Sequence, residues 1–387
     1  MFEPEEINQL REAIKERTHS DAKLLTELRQ EVAILRSQVK VIQPRSTTSV
    51  SLVSSDGGNN KLVFDPFYLQ LVRVVDSHGK QLCLDAISPS TDTDELSDAQ
   101  FDKSGKPITA LGRMMRDLGV KDNKISNLSS MVPTGEKCRD RPNEVSNSWV
   151  LVYRDLVEWA VLYEKICYTK FATNTLLVRD GQLRSKLFQG ELFIKLKDLL
   201  KAAIEKVKKE DKLDIYLVGL AKRSKVLERY KLAMDIEDIL NPCQPVYVKI
   251  PSNMQAKAYV WPEYARGENE QGSKGELPKF VIGEMFFVRF GGRSGDPIWI
   301  VDLFSSQATR AAEIFGYLLA DAINGFPVPL YPRCLQKAHE YAELVGFDMD
   351  IMQDALLSAI RTELPEGKKH TLDNSQFQQD HSSLRYS

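Results

Sequence analysis

Near the N-terminus the apolar positions Leu25, Leu28, Val32, Leu35, Val39 and Ile42 fall at alternating three- and four-residue steps. This is a narrow a/d seam, so residues 4–43 are expected to be helical, with Pro44 ending the helix. Such a helix either lies on its own domain or projects as an arm that docks on another chain. From 46 to 86 the pattern changes to β-branched and aromatic runs, TTSVSLVSSDGG and then KLVFDPFYLQLVRVVDSHGKQLC, broken by Gly, Asp and Pro. Consecutive strands with short links predict an antiparallel meander. Residues 88–146 are rich in Ser, Asp, Lys, Pro and Asn and hold one short helical piece, ALGRMMRDL. They read as an insertion or long connection outside the main core.

Residues 149–171 are apolar on most sides at helical spacing, which predicts a deeply buried helix. A strand at 174–179, a helix at 189–210, a strand at 214–222 and a helix at 224–233 follow. Strands are then expected at 280–290 and 298–304, and a helix at 308–323. Strands alternating with helices predict an α/β sheet flanked by helices. The last 25 residues, from 363, are polar and without period, and are expected to be disordered. The organisation is thus an N-terminal helical arm (1–45), one domain (46–362) containing the 88–146 insertion, and a tail (363–387). No internal repeat is evident.

The chain has 387 residues, 42% hydrophobic and 27% charged, enough for a sizeable core in one large or two smaller domains. Its net charge of -2 gives no pointer to nucleic acid over the whole chain. The region 179–231 differs, with 15 Lys/Arg against 8 Asp/Glu. Part of that excess belongs to the helix LKAAIEKVKKEDK, where it suits a solvated face. The five cysteines, Cys83, Cys138, Cys167, Cys243 and Cys334, are scattered without a CxxC pair, which argues against a disulfide framework or a structural zinc site. The acidic start MFEPEEINQL lacks an apolar signal core, and no window approaches a membrane-spanning run. The expectation is a cytoplasmic protein with no membrane association.

Two apolar strands each meet an aspartate followed by glycine: Asp56-Gly57 and Asp180-Gly181. In α/β sheets functional groups gather beyond the carboxyl ends of strands. A carboxylate beside glycine suits a hard cation, because the small neighbour lets a metal or phosphate approach the backbone. Either Asp-Gly alone is equally a plain turn. Glu158 lies inside the apolar helix, where an acidic side chain needs a partner. A salt bridge is the ordinary explanation, and Asp155 and Glu164 compete with it for any functional role. Arg179, Arg184 and Lys186 surround the second Asp-Gly, and Lys222, Arg223 and Lys225 follow the next strand. Basic residues beside metal-binding carboxylates suit a phosphodiester substrate. Of five histidines, His339 alone falls in an ordered, aromatic-rich segment, eight residues after Tyr331. A Walker A motif, a G-x-S-x-G elbow and HExxH are all absent.

These pieces, in this order, resemble the NurA family of nucleases over roughly residues 46–350. The resemblance is carried by SSDGGNN, RDLVEWAVLYEKI, LLVRDGQLRSKLF, LVGLAKRSKVLERY and, most specifically, GFPVPLYPRCLQKAHEYAELV. It implies an RNase H-like core. It also implies that Asp56, Glu158 and Asp180 hold Mn²⁺ or Mg²⁺, with Tyr331 and His339 at the same site. Glu164 stays open as the alternative to Glu158. Arg184, Lys186, Lys222 and Arg223 are the candidate DNA contacts. The resemblance further implies a 5′ to 3′ exonuclease and single-strand endonuclease, working as a homodimer with a HerA-like hexameric ATPase in DNA repair or phage defence. Two other readings compete: a catalytically inactive DNA-binding partner of a translocase, and an actin-like ATPase, which also uses Asp-Gly turns but requires a duplicated domain.

Overall fold

The computed structural model describes residues 4–46, 50–64, 66–240, 243–259, 279–293, 295–344 and 346–374. In chain order, helix α1 (Pro4–Ala33) leads to strands β1 (Lys40–Val41), β2 (Val50–Phe64), β3 (Phe67–Asp76) and β4 (Gln81–Ile87). Four short helices follow: α2 (Thr93–Asp98), α3 (Ala110–Leu118), α4 (Ile125–Leu128) and α5 (Gly135–Asp140). Then come α6 (Trp149–Tyr168), β5 (Asn174–Asp180), α7 (Leu192–Glu210), β6 (Ile215–Ala221) and α8 (Lys225–Ile236). The chain continues through β7 (Val246–Lys249), α9 (Ser252–Ala258), β8 (Gly283–Arg289), β9 (Ile298–Phe304), α10 (Ala311–Ala322), α11 (Arg333–Ala342) and α12 (Phe347–Glu363).

These elements divide into two compact units. The first comprises residues 1–48, 181–184 and 216–332, and the second residues 49–180, 185–215 and 333–387.

In the first unit the strands run in the order β1-β7-β8-β9-β6, each pair antiparallel. The predicted a/d seam of α1 is used only at its C-terminal end. Leu28, Val32 and Leu35 are buried against Val226, Tyr230 and Met234 of α8. Glu31 accepts from the Tyr230 hydroxyl at 2.7 Å and from Lys257 at 2.9 Å. Leu10, Ile14 and Leu24, nearer the N-terminus, are exposed.

The second unit holds a mixed sheet ordered β5-β2-β3-β4. Here β2, β3 and β4 form the expected meander, and β5 adds parallel to β2. Helix α6 packs on one face of β2 and α11 on the other. The faces follow from strand alternation. Ser54, Asp56 and Asn60 all bond to α11 or to the residues just after it, while Gly57 faces α6.

Three expectations are corrected. Strand β2 does not stop at Asp56 but continues through Gly57 and Gly58 to Phe64, because β3 pairs with it from Ser55↔Asp76 to Phe64↔Phe67. What ends near Asp56 is the parallel pairing with β5, whose last register partners are Ser55↔Arg179. Residues 88–146 are not outside the core: Leu111, Met114, Met115, Leu118, Ile125 and Leu128 are buried, and α3 packs on α6. Only α3, the ALGRMMRDL piece, shows an apolar period, with Leu111, Met114, Met115 and Leu118 on its buried face; the other helices there are too short for one, and caps help to set them. The side chains of Asp92, Thr109 and Thr134 accept from the backbone of Asp94, Gly112 and Lys137. The expected disordered tail begins as the end of α12 and a 3-10 helix, Glu366–Asn374, and its remainder, 375–387, lies outside the described residues.

Candidate metal and phosphodiester site

In the second unit Asp56 and Asp180 lie level on neighbouring strands with His339 bonded to Asp56, while Glu158 approaches the same strand from the other face. Asp56 and Asp180 are the next residues along β2 and β5 after the Ser55↔Arg179 pair. Residues level with each other on neighbouring strands share a face, so both carboxylates belong to the α11 side. Asp56 is buried, and its Oδ1 accepts from the Gly57 backbone N–H at 2.8 Å. Its Oδ2 lies 2.8 Å from His339 Nδ1 of α11. A carboxylate can only accept, so Nδ1 carries the proton and Nε2 is left for other work. Burial first, and the negative charge of Asp180 second, push the Asp56 carboxyl above its ordinary value, against the pull of His339.

Glu158 approaches the same strand from the opposite face. A Cβ on Gly57 would stand 2.3 Å from Glu158 Oε1, so glycine is the gap through which this carboxylate reaches β2. Gly58, on the other face, leaves room for the Ala342 carbonyl, 2.1 Å from where its Cβ would be. Close approach, not a turn, explains this glycine pair. Only at Gly181, with φ 112°, does the predicted turn geometry hold. Glu158 Oε1 is 3.3 Å from Arg154 Nε, and Oε2 is 3.6 Å from Arg179 Nη2. Burial, followed by the charge of Asp155, pushes the Glu158 carboxyl up to about 8 despite the two arginines.

The competitors for the third acid have different partners. Glu164 pairs with Arg113 of α3, away from this cluster. Asp155 pairs with Arg179 beside Glu158. The part played by Arg154 was not anticipated. The signal for it was the spacing of Arg154, Asp155 and Glu158, three and four residues apart on one helix face.

The donor set suits a hard divalent cation. Asp56 and Asp180 offer carboxylate oxygens on one face, and their mutual repulsion is what a cation would relieve. The third ligand is less ready. Among the described residues no group of three His, Cys, Asp or Glu side chains stands poised around a common metal position. Glu158 is turned to its arginines and is separated from the Asp56 face by the strand.

Tyr331 and Lys222 belong to the first unit. Tyr331 is fully buried, with its ring 4.8 Å from that of Trp299, and Lys222 Nζ lies 5.2 Å from the Tyr331 ring centre. Arg184 corrects an expectation. Its side chain is 1% exposed and forms a buried pair with Asp302, Nε to Oδ2 at 3.1 Å, while the Leu183 N–H also donates to Oδ2 at 3.0 Å. It is an internal strut and not a DNA contact. Lys186, Lys222 and Arg223 are exposed.

Among the described residues no helix is long and apolar enough to cross a membrane. No protein-family model and no curated protein matches this chain. Solved structures similar to it include the NurA nuclease from Sulfolobus solfataricus, at 14% identity and TM-score 0.41, covering 94% of this chain and 99% of that one. A second is NurA bound to dAMP and manganese, at 15% identity and TM-score 0.37, covering 90% and 97%. A third is NurA with manganese, at 14% identity and TM-score 0.35, covering 90% and 99%. At this low identity and superposition, the functional reading rests on the chain's own residues.

Proposed function

We propose that this chain is a metal-dependent DNA nuclease. The observation that carries the reading is the level placement of Asp56 and Asp180 at the end of the parallel β2–β5 pairing, with His339 bonded to Asp56. Asp56 and Asp180 would hold Mn²⁺ or Mg²⁺; to act as the third carboxylate, Glu158 has to leave Arg154 and Arg179 and reach past Gly57. When bound, the cation polarises the scissile phosphate and favours deprotonation of the attacking water. His339, held through Nδ1–H by Asp56, presents Nε2 to a phosphate oxygen or to the leaving oxygen, where the doubly protonated ring would give up its Nε2 proton. Lys186, Lys222 and Arg223 bind the DNA backbone, and Tyr331 supports Lys222 from beneath.

The finer reading rests on the motif resemblance. It is a 5′ to 3′ exonuclease and single-strand endonuclease, acting in the cytoplasm on DNA ends in repair or phage defence. It works as a homodimer with a HerA-like hexameric ATPase. The exposed Leu10, Ile14 and Leu24 of α1 support an interaction of that arm with another chain. The rival is a DNA-binding partner that does not cut, and the engagement of Glu158 by Arg154 and Arg179 is what favours it.

The two are separated by incubating the chain with plasmid and single-stranded DNA, with Mn²⁺ or with chelator. Cleavage is expected only with the metal, and Asp56→Asn and Asp180→Asn should each abolish it while melting like the unmodified protein. Near-normal cleavage by either variant overturns the site. No cleavage by the unmodified chain, with DNA binding retained, establishes the rival.

A further inference from the structure

We propose that strand β4 is a docking edge for an extended segment of another protein, one that carries a lysine or arginine between two apolar residues. The segment adds to the sheet as a further strand, with its cation on Asp85 and its apolar neighbours against Leu84 and Ala86. This role does not depend on the nuclease reading.

Strand β4 ends the β5-β2-β3-β4 sheet, and among the described residues no strand pairs with its outer side. The register slips beside Leu82, so the regular ladder with β3 runs from Cys83 to Ile87. In that stretch every second residue turns its N–H and C=O away from β3, and an added strand satisfies them. A cavity lies on each face of this edge. Gly58, Arg73 and Leu84 are level and share the α11 side, where a cavity of 450 Å³ is lined by Leu84, Ala86, Leu344, Ile351 and Met352. Gly57, Val74 and Cys83 share the α6 side, where a cavity of 350 Å³ is lined by Asp85, Leu96, Ala99, Ile108, Val157 and Val161. The side chains of an added strand alternate between these two faces. Backbone pairing at an open edge, with pockets for alternate side chains, is how strand addition combines affinity with specificity.

Charge selects the occupant. Asp85 Oδ2 accepts from the Tyr153 hydroxyl at 2.7 Å and from the Cys83 thiol at 3.4 Å, both neutral donors. Among the described residues no lysine, arginine or histidine pairs with Asp85, whereas Glu164, the other acid of this cavity, is paired with Arg113. Burial first, and the charge of Asp85 second, push the Cys83 thiol and the Tyr153 phenol upward, so both keep their protons and the cavity stays negative. A lysine or arginine stem lies along the apolar walls and brings its cation to Asp85. A purely apolar strand would bury this carboxylate unpaired, and so is kept off. The same charge disfavours a second copy of the chain. Asp85 is the middle of the Cys83–Ile87 stretch, so β4 paired antiparallel with its own twin about that point would oppose two Asp85 carboxylates.

The test titrates the full chain into a short fluorescein-labelled peptide, with lysine at its centre, valine or isoleucine on either side of it and threonine beyond, and follows anisotropy. Micromolar binding is expected. Replacing the peptide's lysine by glutamate, or the chain's own acid by Asp85→Asn, should each weaken binding about tenfold. Leu84→Lys, at an exposed position, should weaken it about tenfold as well. Methylating the peptide's backbone nitrogens at alternate positions, on the edge that meets β4, should abolish binding, because side-chain contacts alone do not need those N–H groups. No binding at millimolar peptide overturns the proposal, as does equal binding of the methylated or the glutamate peptide, or normal binding by folded Asp85→Asn. If Asp85→Asn does not fold by circular dichroism, the comparison of lysine and glutamate peptides on the unmodified chain decides. A dimer by light scattering that Leu84→Lys turns into a monomer would assign this edge to a second copy, and the proposal falls.

Discussion

His339 Nδ1 and Asp56 Oδ2 stand 2.8 Å apart across 283 residues of sequence, joining α11 to the middle of β2. The pair fixes both the orientation of the imidazole and its proton. His339→Ala should therefore slow cleavage by roughly 10²–10⁴-fold while changing DNA affinity little. Single-turnover cleavage and fluorescence anisotropy on the same substrate check this. Equal losses in both would make His339 a phosphate contact and not a proton donor.

Glu158 and Glu164 lie on one helix but have different partners. Glu158→Gln is expected to reduce cleavage nearly as far as Asp56→Asn. Glu164→Gln removes a partly exposed pair with Arg113 and should keep normal turnover, with at most about 1 kcal/mol of stability lost. The reverse ranking in a cleavage assay would move the third acid one and a half turns along α6.

Glu158 also predicts a pH dependence. Burial and the nearby Asp155 raise its carboxyl from the ordinary 4.5 to about 8. Between those values the folded chain holds a proton that the unfolded chain has released. The unfolded state then binds fewer protons, so stability falls as pH rises through this window. Glu158→Gln cannot titrate. Measured by melting in chelator, its stability relative to the unmodified chain should increase from pH 5 to pH 8 and level off above. A constant difference across that range would contradict the raised value.

The two glycines of β2 should respond differently to alanine. At Gly58 the added Cβ meets the Ala342 backbone carbonyl at 2.1 Å, which cannot move without shifting the end of α11. Gly58→Ala should cost about 1–3 kcal/mol in denaturant unfolding. At Gly57 the obstacle is the flexible tip of Glu158, 2.3 Å away, which can swing aside. Gly57→Ala should stay within about 1 kcal/mol of normal stability but lose activity, because Glu158 leaves its place. Full activity in that variant would show that Glu158 does not need the gap.

Much of the chain was legible from local pattern alone. Strand β9 has the expected bounds, 298–304, and the helix at 149, the strand at 174 and the meander after 46 all begin close to where apolar period and β-branched runs place them. Those signals are set by residues a few positions apart, so they survive without knowledge of the fold. The register sets the two aspartate-bearing strands side by side in parallel. What needed the tertiary structure was direction and company. Asp56-Gly57-Gly58 reads as a strand end until β3 is known to pair straight through it. Arg184 reads as a surface cation until Asp302, 118 residues away, is found against it. Alternation along β2 puts Asp56 toward His339 and opens Gly57 toward Glu158, and neither helix can be assigned to a face from the strand's own letters. Long-range pairing decides these matters because a side chain's burial and charge environment belong to whatever packs over it, which local sequence does not encode.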